Sequence, residues 1–187
     1  CARILQQHGV TVDVYEADPD ATARQQGGDL DIHRGTGQKA LREAGLYERF
    51  RASTIPGAES FRVMDKTAHV FLDQPEVEGG HGRPEIKRTV LRQLLIDSLE
   101  PARLHWGRRL VGVTPDERRH AMEFADGATE HVDLVIGADG AWSKVRPLLT
   151  SAAPRYVGIT LVEIRISDSA SPYPDARALV GDWSLFA

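Results

Sequence analysis

The sequence predicts an α/β fold of the Rossmann type, and two stretches carry that prediction. Near the start, the helix-favouring segment Ala2-Arg3-Ile4-Leu5-Gln6-Gln7-His8 stops at Gly9 and gives way to the β-rich run Val10-Thr11-Val12-Asp13-Val14-Tyr15 and then an acid, Glu16. Helix, glycine, strand and acid form the second half of a dinucleotide-binding βαβ unit, in which the acid at the strand's carboxyl end accepts hydrogen bonds from a ribose. Much later, the apolar run Leu134-Val135-Ile136 ends at Gly137-Ala138-Asp139-Gly140 and passes into Ala141-Trp142-Ser143-Lys144-Val145-Arg146. This reads as a buried strand, a tight turn and a helix at the carboxyl edge of a sheet, where turn backbone and helix N-termini suit phosphates and ribose hydroxyls. Asp-Gly is also ordinary turn chemistry, so this stretch gains meaning only alongside other motifs.

Composition narrows the class. With 187 residues, 41% of them hydrophobic and 27% charged, the chain suits one sizeable domain or parts of two. A net charge of -4 supplies no basic face for nucleic acid. A single cysteine, Cys1, permits no internal disulfide and makes a reducing cytoplasm the expected compartment. The apolar runs are too short to span a bilayer, and no signal-peptide pattern opens the chain. The seven histidines show no metal-ligand spacing.

Taken in order, the chain begins inside a helix that Gly9 ends as a C′ residue. The glycine fingerprint that precedes such a helix is expected a few residues upstream of Cys1. After Glu16 come Gly27-Gly28-Asp29-Leu30-Asp31-Ile32-His33 and Gly35-Thr36-Gly37-Gln38-Lys39-Ala40-Leu41. The run from Val14-Tyr15-Glu16 through these two segments resembles the FAD-dependent aromatic-hydroxylase family, the class A flavoprotein monooxygenases, and within it the branch of tetracycline-inactivating enzymes. The resemblance implies a glutathione-reductase-like FAD-binding domain with part of a β-sheet substrate domain, incomplete at both ends. It implies that Glu16 holds the adenosine ribose and that Asp31 lies near the flavin. The family commonly carries Arg directly after the ribose acid. Here that position is Ala17, which removes one expected contact to the adenosine phosphate.

Thr36 to Ala44 reads as an amphipathic helix with a threonine N-cap and Gly45 as its stop, and Leu46 to Phe50 as a second short helix. Ser60 to Met64 and His69 to Leu72 flank Asp65-Lys66 as the arms of a hairpin. Glycines 79, 80 and 82 around His81 lack the following Lys-Ser or Lys-Thr helix of a P-loop. From Arg88 a helix follows in which Val90, Leu91, Leu94, Leu95 and Leu99 form one apolar face. A cation at a helix N-terminus opposes the dipole, so Arg88 suggests an anionic partner. By resemblance, Arg88 and Arg92 reach the ribityl and phosphate region of FAD.

Arg103 to Trp106 and Arg109 to Val113 read as strands, with backbone contacts to adenine implied near Leu110 by resemblance. Ala121 to Phe124, Asp126-Gly127 and Glu130 to Val132 make a hairpin signature that leads into the strand at 134–136. Asp139 and Gly140 are implied to contact the pyrophosphate and ribose side and to help NAD(P)H dock, while Arg146 braces the turn. Pro147 to Leu149 completes a short helix, and Tyr156 to Ser167 reads as a long strand on which Glu163 is implied to face substrate. Val180 to Ala187 reads as the first arm of another hairpin.

These motifs keep the family's order across essentially the whole chain. The implied organisation places residues 1–45 and 80–150 in the FAD-binding domain and 46–79 and 151–187 in the substrate domain. The implied function is a monooxygenase in which NAD(P)H, NADPH in preference to NADH, reduces FAD and molecular oxygen supplies one atom to a small aromatic or polyketide-like substrate. Tetracycline is one candidate, which would make the protein an antibiotic-resistance enzyme. Such chemistry belongs to the cofactor and needs no side-chain nucleophile. The family's later Gly-Asp motif is expected downstream, so the 187-residue chain alone is expected to bind FAD poorly and not to turn over. Two alternatives share these features: a remnant or binding module that keeps the fold without redox activity, and another flavoprotein oxidoreductase of the superfamily.

Overall fold

The computed structural model describes residues 1–24, 27–75, 77, 80, 82–160, 174–175 and 184–186. Helix α1 (Ala2–Gln7) closes as its sequence requires. Gly9 sits at φ +75°, its N–H donates to Gln6 O (3.0 Å), and Val10 N–H donates to Leu5 O (3.0 Å). These paired bonds are a Schellman motif, which satisfies carbonyls that the helix end leaves open. The strand that follows is shorter than expected. Only β1 (Val14–Tyr15) is regular, paired in parallel with β6 (Leu104–His105), while residues 10–13 lie outside it. Strand structure exists only where a neighbour completes the ladder, and β6 is the sole pairing partner of β1 among the described residues.

Strand β2 (Asp29–Asp31) pairs antiparallel with β5 (Glu85–Lys87), so that Asp31 stands opposite Glu85 and Asp29 opposite Lys87. Between them lie α2 (Gly37–Glu43) and α3 (Tyr47–Arg51), and α4 (Arg88–Ile96) runs directly on from β5. Thr36 occupies the N-cap of α2, but its side chain makes no capping hydrogen bond, contrary to the sequence expectation. Its φ and ψ of -126° and -87° lie away from the β-region backbone that turns a cap oxygen toward the helix. Gly45, at φ +69°, ends α2 with a second Schellman pair, Gly45 N–H to Arg42 O (2.9 Å) and Leu46 N–H to Leu41 O (2.8 Å).

That turn delivers Leu46 into the main core, where Leu41, Ala44, Leu46, Phe50, Ile86 and Leu94 pack together with Ile4, Ile32, Tyr47 and Leu91 at the edge. Phe50 and Ile86 are fully enclosed. Burying each such side chain contributes about 1.5–3 kcal/mol. The apolar face expected on α4 is only partly used. Leu94 is buried, but Val90 and Leu95 are exposed, because the core touches the helix along a narrower line than the sequence stripe.

Strands β3 (Phe61–Met64) and β4 (Val70–Gln74) form the expected hairpin around Asp65, whose Oδ1 accepts hydrogen bonds from Thr67 N–H (2.8 Å) and His69 N–H (3.0 Å). A meander of β7 (Leu110–Asp116), β8 (Arg119–Phe124) and β9 (Thr129–Val132) follows, its second turn closed by Gly127 at φ +85°. Strand β10 (Ser184–Phe186), within the segment read as the first arm of a hairpin, lies parallel to β3.

Three expectations fail downstream of β9. The run Leu134 to Ile136 is neither a strand nor buried: Leu134 is 74% exposed and Ile136 54%. An apolar strand needs hydrogen-bonding neighbours, and no described strand flanks this one. The segment after Gly140 forms turns and a single 3-10 turn at Arg146–Leu148 in place of a capped α-helix. Residues 156–160, the described part of the run read as a long strand, are exposed and form no strand, with a bend at Gly158 (φ +89°) and no paired neighbour among the described residues, while Glu163 lies outside them. No helix among the described residues is long and apolar enough to cross a membrane.

Candidate functional site

Glu16 follows β1 immediately. Its main chain is pinned on both sides, N–H to His105 O (2.9 Å) and O from Arg108 N–H (2.8 Å), which fixes where the side chain emerges. One carboxylate oxygen, Oε1, accepts a hydrogen bond from Asp18 N–H (3.0 Å). Oε2 has no hydrogen-bond partner among the described residues, and Glu16 lines a cavity of about 380 Å³.

The same cavity is lined by Arg88 and Arg92 of α4, by Leu30, Leu91 and Trp106, and by Arg3 of α1. The structure therefore brings Glu16 together with Arg88 and Arg92, which lie more than seventy residues further along the sequence. Arg88 is the first residue of α4, and its N–H donates to Gly28 O (3.1 Å), which ties the helix start to the Gly27-Gly28 turn. Gly28 has φ +77°, and a Cβ there would meet nothing within 4 Å, so the backbone is open to close approach by a ligand. No hydrogen bond or ion pair holds the Arg88 guanidinium among the described residues. Arg92 is differently placed: it donates to Ala21 O and to Asp18 Oδ2 (3.4 Å), and lies over the Trp106 ring at 5.5 Å. A hydrogen-bond acceptor, an uncommitted cation and an apolar wall in one cavity fit a ligand with sugar hydroxyls, phosphates and a flat ring.

The other expected site residues lie elsewhere. Asp31 faces a second cavity of about 390 Å³ with Asp29, Ser60, Phe61, Arg83 and Glu85, and His33 Nε2 stands 4.0 Å from its carboxylate. Asp139 and Gly140 line a third, of about 550 Å³, with His120, Ser143 and Arg146. Leu110 opens β7 and lines none of the three.

The Asp139 turn is internally bonded. Its carboxylate accepts from Ser143 Oγ–H (2.6 Å) and Lys144 N–H (2.6 Å). Partial burial raises the Asp139 pKa, but these hydrogen bonds outweigh it and leave the group below its ordinary value. Arg146 donates to Ala141 O (2.7 Å) and Gly140 O (3.2 Å), so it braces the turn as expected. No group of three or more His, Cys, Asp or Glu among the described residues could hold a metal ion.

Three residues escaped the sequence reading: Arg3, Asp18 and Gln38. Asp18 had a detectable signal, since it stands two residues after the ribose acid. The buried Gln38 had none, because glutamine on an amphipathic helix ordinarily faces water.

Comparison with known proteins bears on this geometry. The FAD binding domain family matches residues 1–176. The monooxygenase asqM of Emericella nidulans is 32% identical over 165 residues, which cover 81% of this chain and 37% of that protein. The solved structure of 2,6-dihydroxypyridine-3-hydroxylase from Arthrobacter nicotinovorans superposes with a TM-score of 0.68 at 26% identity, covering 83% of this chain and 37% of the other. The tetracycline destructase Tet(51) superposes with a TM-score of 0.60 at 25% identity, over 79% and 37%. The chain thus spans well under half the length of these relatives.

Proposed function

Because the chain belongs to the FAD-binding domain family of class A FAD-dependent hydroxylases, we propose that the whole protein is a flavin-dependent monooxygenase and that the cavity at Glu16 receives the adenosine end of its cofactor. The observation that carries this reading is the convergence of Glu16, Arg88 and Arg92 on one cavity.

Within it, Glu16 Oε2 accepts from the ribose hydroxyls while Oε1 stays bonded to Asp18 N–H. Arg88, with Arg92 behind it, faces the phosphates. Leu30, Leu91 and Trp106 give the adenine an apolar surface and exclude water. Asp31 and the cavity beside it belong on the flavin side. Asp139 and Gly140 serve the pyrophosphate and the docking of NAD(P)H, with NADPH preferred, and Leu110 offers backbone to the adenine. When bound, the flavin supplies the redox chemistry that delivers one oxygen atom from molecular oxygen to substrate, and the protein orients and shields it.

A small aromatic or polyketide-like substrate is the reading that the named relatives support, since they include a dihydroxypyridine hydroxylase and a tetracycline destructase. Glu163 is its proposed contact. In this reading residues 1–45 and 80–150 are the cofactor portion and 46–79 and 151–187 the substrate portion, joined where Leu46 and Phe50 pack against Leu41 and Ile86. The proposed compartment is the cytoplasm.

The test is NAD(P)H oxidation by the flavin-loaded full-length protein against a panel of phenols and tetracyclines. Stoichiometric FAD and substrate-stimulated oxidation are expected. A full-length protein that takes up no flavin would refute the reading.

A further inference from the structure

Asp18 is the most connected polar residue around the Glu16 cavity. Its N–H donates to Glu16 Oε1 (3.0 Å), its O accepts from Gly107 N–H (2.8 Å), and its carboxylate meets both Arg92 (3.4 Å) and Arg24 (3.1 Å). The Asp18 and Arg92 side chains are only 19% and 18% exposed, so this pair is shielded from solvent far more than a surface ion pair. Through these contacts one residue joins the end of β1, the turn between β6 and β7, and the middle of α4.

Position 17 is alanine, so the turn itself brings no cation to the ribose acid. The positive charge beside Glu16 comes from the cavity wall, and Arg92 holds its place there through Asp18 and Ala21. We propose that Asp18 is a positioning residue for dinucleotide binding, orienting the Glu16 carboxylate through its backbone and stationing Arg92 at the cavity wall through its side chain. The proposal rests on the assignment of this cavity to the cofactor's adenosine end.

The experiment titrates the full-length protein, stripped of flavin, with FAD and follows flavin fluorescence. Glu16→Gln tests the underlying assignment: unchanged affinity in that variant removes the cofactor reading of the cavity, whatever Asp18 does. With that control passed, Asp18→Ala is expected to weaken FAD binding about tenfold, and Asp18→Glu to restore most of the loss. Arg92→Ala should weaken binding to a similar extent, and the double variant should be no weaker than the weaker single, because both remove one shared contact. The absorbance spectrum of bound flavin should be unchanged in all of them, since the ring lies on the Asp31 side. An Asp18→Ala affinity within about twofold of the parent, additive losses in the double variant, or an altered flavin spectrum would overturn the proposal. If Asp18→Ala does not fold, Asp18→Asn keeps the volume and removes only the charge, and the same outcomes decide.

Discussion

Replacing Gln38 with leucine should cost the protein about 2 kcal/mol of stability. Gln38 is 2% exposed in α2, and its Nε2 donates to Ile32 O (2.7 Å) and Gly82 O (3.1 Å). Gly82 O also accepts from Arg34 N–H (3.2 Å), so leucine would orphan the Ile32 carbonyl and take from the Tyr47 hydroxyl its long bond to Gln38 Oε1 (3.4 Å). An orphaned buried carbonyl costs about 1–3 kcal/mol and the second lost bond about 0.5–1.5, while the new apolar atoms offset roughly 1 kcal/mol. Urea unfolding is the assay, and the midpoint should fall by about 1 M.

Gln38→Glu sharpens the test, since it keeps the shape but sets a carboxylate against two carbonyl oxygens. That environment disfavours the charged form and raises the folded-state pKa above the unfolded value of about 4.3. The contribution of a raised group is present below the unfolded pKa and is lost as pH rises through the folded one. Gln38→Glu should therefore be more destabilised at pH 8 than at pH 4. A Gln38→Leu loss under about 0.5 kcal/mol, or a pH-independent loss in Gln38→Glu, would refute the reasoning. Because Ile32 adjoins Asp31, the same bonds hold the end of β2 against the 82–84 segment.

Other consequences are simpler to state. Arg88→Ala in the full-length protein should weaken FAD binding about tenfold at low salt and less at high salt, since the contact is electrostatic at an exposed rim; a salt-independent effect would argue against a phosphate partner. Burial raises the Asp13 pKa, but hydrogen bonds from His105 (2.8 Å) and Arg103 (3.1 Å) outweigh it and hold it below its ordinary 3.8. A depressed carboxylate contributes stability above its unfolded pKa and loses it as pH falls, so Asp13→Asn should lower the urea midpoint at pH 6 and matter little at pH 2. Gly45→Ala, at φ +69°, should cost about 1 kcal/mol in thermal unfolding; an unchanged Tm would mean that the Schellman turn relaxes.

The local grammar of the chain was legible where short-range chemistry decides structure. Gly9 and Gly45 end their helices as read, Asp126-Gly127 closes a hairpin, Asp65 organises another, and Arg146 braces the Asp139 turn, because each depends on contacts within a few residues. Glu16, Arg88 and Arg92 were readable as cofactor candidates by family order, but only the fold shows them around one cavity with Asp31 and Asp139 facing two others.

Long-range pairing decided the rest. Leu134 to Ile136 has a strand's composition yet forms none, since an apolar run becomes a strand only when neighbouring backbones take up its N–H and C=O groups. Residues 10–13 fall outside β1 for the same reason. Gln38 was likewise invisible beforehand, because its partner Gly82 lies 44 residues away, and the place of Asp18 two residues after Glu16 gave no sign of Arg92, 74 residues on. Sequence thus determined the turns, the glycine helix stops and the family, while tertiary structure decided which strands form and which polar side chains become its crosslinks.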